Sequence, residues 1–205
     1  MNDKFYNLPI DKQNAIINAG YRVFSENSYK QSPMSEIAKE ACISKSLLFY
    51  YFKNKKELYL FLYNYVFILV NKIAEEEINP SETDFYELML QSSKYQRKLL
   101  KQHMYAYRFI MKTFYEDEEV ARELIGKNIS VTDNSINLLL GRIDRSKFKE
   151  GTDITQLVSI IGWCAEGFWK EKFCNPNVDM DEIDSGFKKI IDFFRKSTYK
   201  EEYLP

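Results

Sequence analysis

Histidine is nearly missing from this chain of 205 residues, and glycine, cysteine and proline are scarce, at seven, three and five copies. A lone imidazole, His103, cannot supply zinc sites that need several, nor a serine–histidine triad with a spare, and is expected to be a surface or pocket residue. The glycines form no phosphate-binding loop. Cys42, Cys164 and Cys174 are odd in number and contain no Cys-x-x-Cys, which fits reduced thiols better than a disulfide framework. No run of about 18 apolar residues occurs, and MNDKFYNLP lacks the basic and apolar regions of a signal peptide. A soluble cytoplasmic protein with no membrane span is expected. The acidic runs Glu75 to Glu77 and Glu116 to Glu119 read as helix-surface charge. Nothing carries catalysis, a metal or a cofactor, so no enzyme is expected.

What is present is apolar and aromatic: 45% and 16% of residues, ample for one large or two modest cores. Residues 1–56 hold nine Lys or Arg against five Asp or Glu, a balance of +4, which leaves −5 for the rest of a chain whose total is −1. A basic end of this kind is an electrostatic footprint for phosphate.

That end contains SPMSEIAKEACISKSLLFYYFKNKKEL, from Ser32 to Leu58. Ser32 as N-cap and Pro33 at the first helical position predict a helix running to about Ala41. Cys42 and Ile43 make a turn, and Ser44 caps a second helix over Lys45 to Phe52. Leu48 and Phe52 share its inner side with Ile37, Ala38, Ala41 and Ile43. The outer arc holds Ser46, Leu47 and Tyr50, flanked by Lys45 and Phe49 on one side and Tyr51 on the other. Such a division, one face packed and one carrying hydroxyls, amines and rings, is what a helix-turn-helix places in a major groove.

The segment Ala15 to Tyr59 resembles the DNA-binding domain of the tetracycline-repressor (TetR) family. The resemblance rests on Ile16, Ile17, Ala19, Phe24, Tyr29, Ile37, Ala38 and Ala41, followed by ISKSLLFYYFKNKKEL against the family pattern VSKGxLYxHFKxKEEL. It implies an all-α fold of about nine helices: a helix-turn-helix DNA-binding domain over residues 1–53, and a helical ligand-binding and dimerisation domain over 54–205. Tyr51 and Lys55 match phosphate-contacting positions, and Ser32, Ser44, Lys45, Ser46, Leu47, Phe49 and Tyr50 complete the implied DNA contacts. Ser28 and Cys42 stand where the family commonly has Gly, a strained choice if those turns are left-handed. Ser46 and Leu47 replace the family's Gly and Thr, so a different operator is expected.

Elsewhere, helical spacing predicts a first helix from Ile10 to Asn27, with Ile10, Ile17, Tyr21 and Phe24 on one side. A long helix from Asn54 to about Asn79 is apolar nearly all round except at Asn64, and therefore expected to be buried on every side. Further helices are expected at 82–101, 103–115, 117–143, 153–174 and 181–197. Ile154, Leu157, Val158, Ile161, Ala165 and Phe168 line one side of the fourth of these, and Ile183, Phe187, Ile190 and Phe194 one side of the fifth. Periodicity alone leaves open whether these stripes are intrachain core or a two-fold four-helix interface, and the resemblance favours the interface. Aromatic residues mixed with polar ones suggest a small-ligand cavity for an apolar or amphipathic effector, with Asn64, Tyr65, Gln91, His103, Tyr107, Trp163 and Glu166 as its residues. The reading is a ligand-responsive repressor that binds a pseudo-palindromic operator as a homodimer. The alternatives are a ligand-independent architectural DNA binder and a small-molecule carrier or sensor module.

Overall fold

A computed structural model describes residues 3–124, 137, 139–173 and 179–204. Among these every regular element is helical, and the only extended pairing is a bridge between Phe148 and Tyr199. The chain packs as two compact units, Met1–Ile73 with Lys98–Thr132, and Ala74–Arg97 with Asp133–Pro205. These units do not coincide with the division expected at residue 54: helix-turn-helix, long helix and residues 98–132 pack as one.

The first unit opens with a short helix that periodicity did not reveal, α1 (Asp3–Tyr6), whose Phe5 is buried. After Pro9 comes α2 (Ile10–Glu26), with Ile16, Ile17, Tyr21 and Phe24 buried. Ile10, expected on that inner side, is exposed in the first turn. Then follow α3 (Met34–Glu40), α4 (Lys45–Tyr51) and the long α5 (Lys55–Glu77). At 23 residues and 1.5 Å per residue, α5 is roughly 34 Å long. Asn54 accepts from the Glu57 N–H at 2.8 Å, and the Glu57 carboxylate accepts from the Lys53 N–H at 3.2 Å, which closes the N-terminal turn of α5 from both sides.

By length and composition alone α5 could cross a membrane. In the fold it buries Leu58, Tyr59, Leu62, Tyr63, Val66 and Ile73, but not every side as expected: Asn64 and Ile68 are exposed, and Phe61 and Tyr65 are half-buried. Gly20 of α2 lets α5 approach closely, since a Cβ there would stand 2.5 Å from Leu62 Cδ1. The Tyr21 hydroxyl donates to the Leu62 carbonyl at 2.9 Å, and α7 (Ala106–Tyr115) adds Phe109 between Tyr21 and Tyr59.

The second unit is built on the first part of α6 (Phe85–Gln102) with α8 (Ile154–Phe173) and α9 (Met180–Thr198). Asp84 opens α6 by accepting from the N–H groups of Tyr86 and Glu87, both at 3.0 Å, and pairs with Lys147 at 2.8 Å. Burial alone would push the Asp84 carboxyl up, but Lys147, the N–H bond and Arg195 together hold it below the usual range. The Tyr199 hydroxyl accepts from the Phe85 N–H at 3.2 Å, fastening the C-terminal end to the start of α6.

The stripes read as an interface belong to this core. Ile154, Leu157, Ile161 and Phe187 are buried in one cluster with Phe85, Tyr86 and Tyr199, and Val158, Ala165, Phe168 and Phe194 pack on its edge; Ile183 is buried and Ile190 half-buried. Among the described residues, the large apolar side chains that α8 and α9 leave exposed are Trp163 and Phe193, at 69% and 65%. Of the helix expected at 117–143, residues 117–124, 137 and 139–143 are described; 119–124, 137 and 139–142 are helical, while 117, 118 and 143 are not, and Cys174 lies outside the described residues.

Candidate DNA-binding surface

Helix α3 starts later than its sequence implied. Pro33, not Ser32, takes the cap position and makes no side-chain cap bond. Ser32 is fully buried, its hydroxyl donating to the carbonyls of Ser28 at 2.9 Å and Val23 at 3.3 Å, so it staples the loop to α2 and turns no hydroxyl outward. The next turn is left-handed although it holds no glycine. Cys42 lies at φ 53, the only non-glycine residue at positive φ among the described residues, while Ser28 does not adopt that conformation. Ser44 then caps α4 as expected, its hydroxyl accepting from the Leu47 N–H at 3.1 Å.

With α4 so fixed, its faces separate cleanly. Leu48 and the C-cap residue Phe52 are buried, at 0% and 4% exposure. Lys45, Ser46, Leu47, Phe49 and Tyr50 are exposed, which makes Phe49 a surface ring and not core. Lys45 Nζ lies 5.9 Å from the Phe49 ring centre. Tyr51, placed by its spacing on the outer flank, is buried at 6% exposure and meets Phe5 edge-on at 6.1 Å. The spacing could not show this, because the residue that covers Tyr51 comes from α1.

Lys55 is likewise engaged within the chain. Its Nζ donates to the carbonyls of Tyr29 at 2.7 Å and Lys30 at 3.2 Å and stands 4.5 Å from the Tyr29 ring centre. Burial lowers its pKa, as expected of an ammonium drawn out of water. The same loop accepts a clasp from beyond α7: the Tyr29 N–H donates to Glu116 at 3.0 Å, Lys30 pairs with Glu118 at 2.9 Å and Lys56 with Glu123 at 3.1 Å. The acidic run read as plain surface charge therefore braces the DNA-binding end.

Of the residues expected to bind a ligand, Asn64, Tyr65, His103 and Tyr107 fall in the first unit, and Gln91, Trp163 and Glu166 in the second. Asn64 and Tyr65 line a groove of ≈ 380 Å³ with Tyr6, Phe52, Lys53, Glu57, Phe61 and Ile68. His103 is buried, at 1% exposure, neither on the surface nor in that groove. Its Nδ1 lies 2.8 Å from Asn18 Oδ1, and Asn18 Nδ2 donates to the Gln102 carbonyl, an arrangement that suits the Nδ1–H tautomer. Burial lowers the imidazole to about 4. Tyr21 and Tyr65 meet it edge-on at 5.7 and 5.9 Å. Gln91 accepts from the Asn79 N–H at 3.0 Å, Trp163 is exposed, and Tyr107 and Glu166 are half-buried.

A short capped helix with one buried and one exposed face, set across a tight turn from α3 and braced by α2, defines a helix-turn-helix DNA-binding protein. Residues 16–61 match the family model described as "Bacterial regulatory proteins, tetR family". The fatty acid metabolism regulator protein of Bacillus subtilis is 31% identical over 143 residues, covering 68% of this chain and 72% of that protein. Two solved structures share the fold. A TetR family transcriptional regulator from Chloroflexus aurantiacus superposes with a TM-score of 0.69 at 15% identity, over 97% of this chain and 98% of its own. The fatty acid degradation regulator FadR from Bacillus halodurans gives 0.62 at 20%, over 90% and 96%. The chain belongs to the TetR family of transcriptional regulators.

Proposed function

We propose that the chain is a cytoplasmic, homodimeric, ligand-responsive repressor whose two α4 helices enter successive major grooves of a pseudo-palindromic operator. The exposed face of α4 carries this reading. Lys45 and Tyr50 supply hydrogen-bonding groups for base edges, Leu47 an apolar contact for a thymine methyl, and Ser44 and Ser46 short hydroxyls for close approach to the backbone. Tyr51, Ser32 and Lys55 support that face from behind. Dimerisation uses the sides of α8 and α9 that carry Trp163 and Phe193, in place of the stripes that fill the core.

The effector is a small apolar or amphipathic molecule. The names of the relatives point to fatty acid metabolism as the regulated process. An effector shifts DNA affinity only through its different affinity for two conformations, and a hundredfold release corresponds to about 2.7 kcal/mol of coupling. Helix α5 begins beside the loop that Lys55 holds and carries Asn64 and Tyr65 on the groove, so a ligand there bears on the DNA-binding end.

Gel shift of genomic fragments at physiological salt, followed by selection from a random pool, tests the core of this reading. Two half-sites roughly 34–36 Å apart are expected. Tyr50→Ala and Lys45→Ala should each lose about 1–3 kcal/mol and change base preference. Unchanged preference in both variants refutes the placement of α4. Compounds that raise the melting temperature but leave DNA affinity unchanged refute the coupling.

A further inference from the structure

Helix α1 lies outside the segment matched by the family model, yet it is built onto the recognition helix. Phe5, 1% exposed, plugs it down among Tyr51 at 6.1 Å, Phe52 at 5.1 Å and Phe61 at 5.1 Å. From α2, the Gln13 amide donates to the carbonyls of Tyr6 at 3.1 Å and Leu8 at 2.8 Å, locking the chain that leaves α1. Three rings and two hydrogen bonds give a four-residue helix a fixed place. On its other side the Lys4 ammonium stands 4.2 Å from the ring centre of Tyr50, which is itself 53% exposed on the outer face of α4.

We propose that α1 is a fourth element of the DNA-reading surface, which places the Lys4 ammonium on a backbone phosphate at the C-terminal end of the recognition helix. This rests on the reading that the exposed face of α4 meets DNA. A helix lying in a major groove has phosphates along both walls, and an ammonium group on a phosphate near one end holds its register without reading sequence. Helix α4 carries an ammonium of its own near its start, Lys45 over Phe49, where it faces base edges. Near its end the chain supplies another from α1, over Tyr50. An ammonium held over a ring keeps its charge at the groove edge, and contact with phosphate releases the counterion condensed there.

The test measures affinity against salt for the full-length protein on its selected operator and on unrelated duplex. Lys4→Ala should lower the slope of log affinity against log salt by about 0.9 per lost contact, roughly 1.8 for a dimer. Its base preference and melting temperature should stay those of the wild type, and Lys4→Arg should restore the slope. Phe5→Ala should lower the slope as Lys4→Ala does, with some loss of stability besides. A wild-type slope in Lys4→Ala overturns the inference, as does a change of base preference at an unchanged slope, which would make the lysine only a support for Tyr50. A wild-type slope in folded Phe5→Ala overturns the delivery by α1. Failure of the wild type to bind any DNA overturns the underlying reading as well, and only that outcome does so.

Discussion

Lys55 separates a role seen in the chain from one implied by resemblance. The family pattern sets this lysine on a phosphate, whereas here its ammonium donates to the Tyr29 and Lys30 carbonyls at 2.7 and 3.2 Å and lies against the Tyr29 ring. Lys55→Met keeps the apolar stem and removes only the charge and the donors. Hydrogen bonds to charged groups contribute roughly 1.5–3 kcal/mol each when buried. An exposed cation over a ring adds about 0.5–1 kcal/mol. The site is half-buried and both bonds leave one ammonium, so water recovers most of what the carbonyls lose and the contacts together amount to well under the sum of these terms. The expected loss is about 1–2 kcal/mol, which for a chain of this size lowers the melting temperature by roughly 2–8 °C. Measured well below melting, the salt slope of operator binding should not change, because no phosphate loses its cation. An unchanged melting temperature with a slope reduced by about 1.8 per dimer would refute the reasoning: Lys55 would then leave its carbonyls for phosphate.

Three other outcomes follow from the same contacts. His103 is lowered to about 4 in the fold against an ordinary value of 6.5, so between those limits the unfolded chain takes up a proton that the folded chain refuses; stability is full above about pH 6.5 and falls as pH drops toward 4. Urea titrations from pH 7 to 4 should show this loss, and His103→Gln should remove about one proton from the pH slope; an unaltered slope contradicts the buried neutral ring. Cys42→Gly should stabilise by up to about 1 kcal/mol in urea unfolding, the relief of a left-handed Cβ exceeding the entropy that glycine adds to the unfolded chain. Trp163→Asp with Phe193→Asp should yield a folded monomer in sedimentation and abolish cooperative footprinting; a dimer that survives both places the interface elsewhere.

The legible part of the molecule was the part specified locally. Ser44 announced a cap, Leu48 and Phe52 four residues apart announced an inner face, and both stand where helical spacing put them. Each error in the same stretch came from a contact that spans sequence. Tyr51 is buried because α1 folds over it, and α1 has too few residues to show a period. Ser32 follows the rule for an N-cap but finds better acceptors in the Ser28 and Val23 carbonyls. Gln13 of α2 is buried and holds Tyr6 and Leu8 through its amide, a role that neither its residue type nor its spacing from them signals.

The residues expected to bind a ligand were the least legible for a further reason. Aromatic and polar side chains at helical spacing describe a cavity wall and a well-packed core equally well, and three dimensions divided the set: Asn64 and Tyr65 reached a groove, His103 went into the core, and Trp163 went to the surface. The stripes on α8 and α9 teach the same lesson from the other side. An apolar period establishes that a face is covered but does not identify what covers it. Here Phe85, Tyr86 and Tyr199, distant in sequence, had already filled the place expected for a second copy. The argument for a partner therefore passes from the covered stripe to the uncovered rings of Trp163 and Phe193, because large apolar side chains left in water on adjacent helices are the surface that a second copy would remove from it.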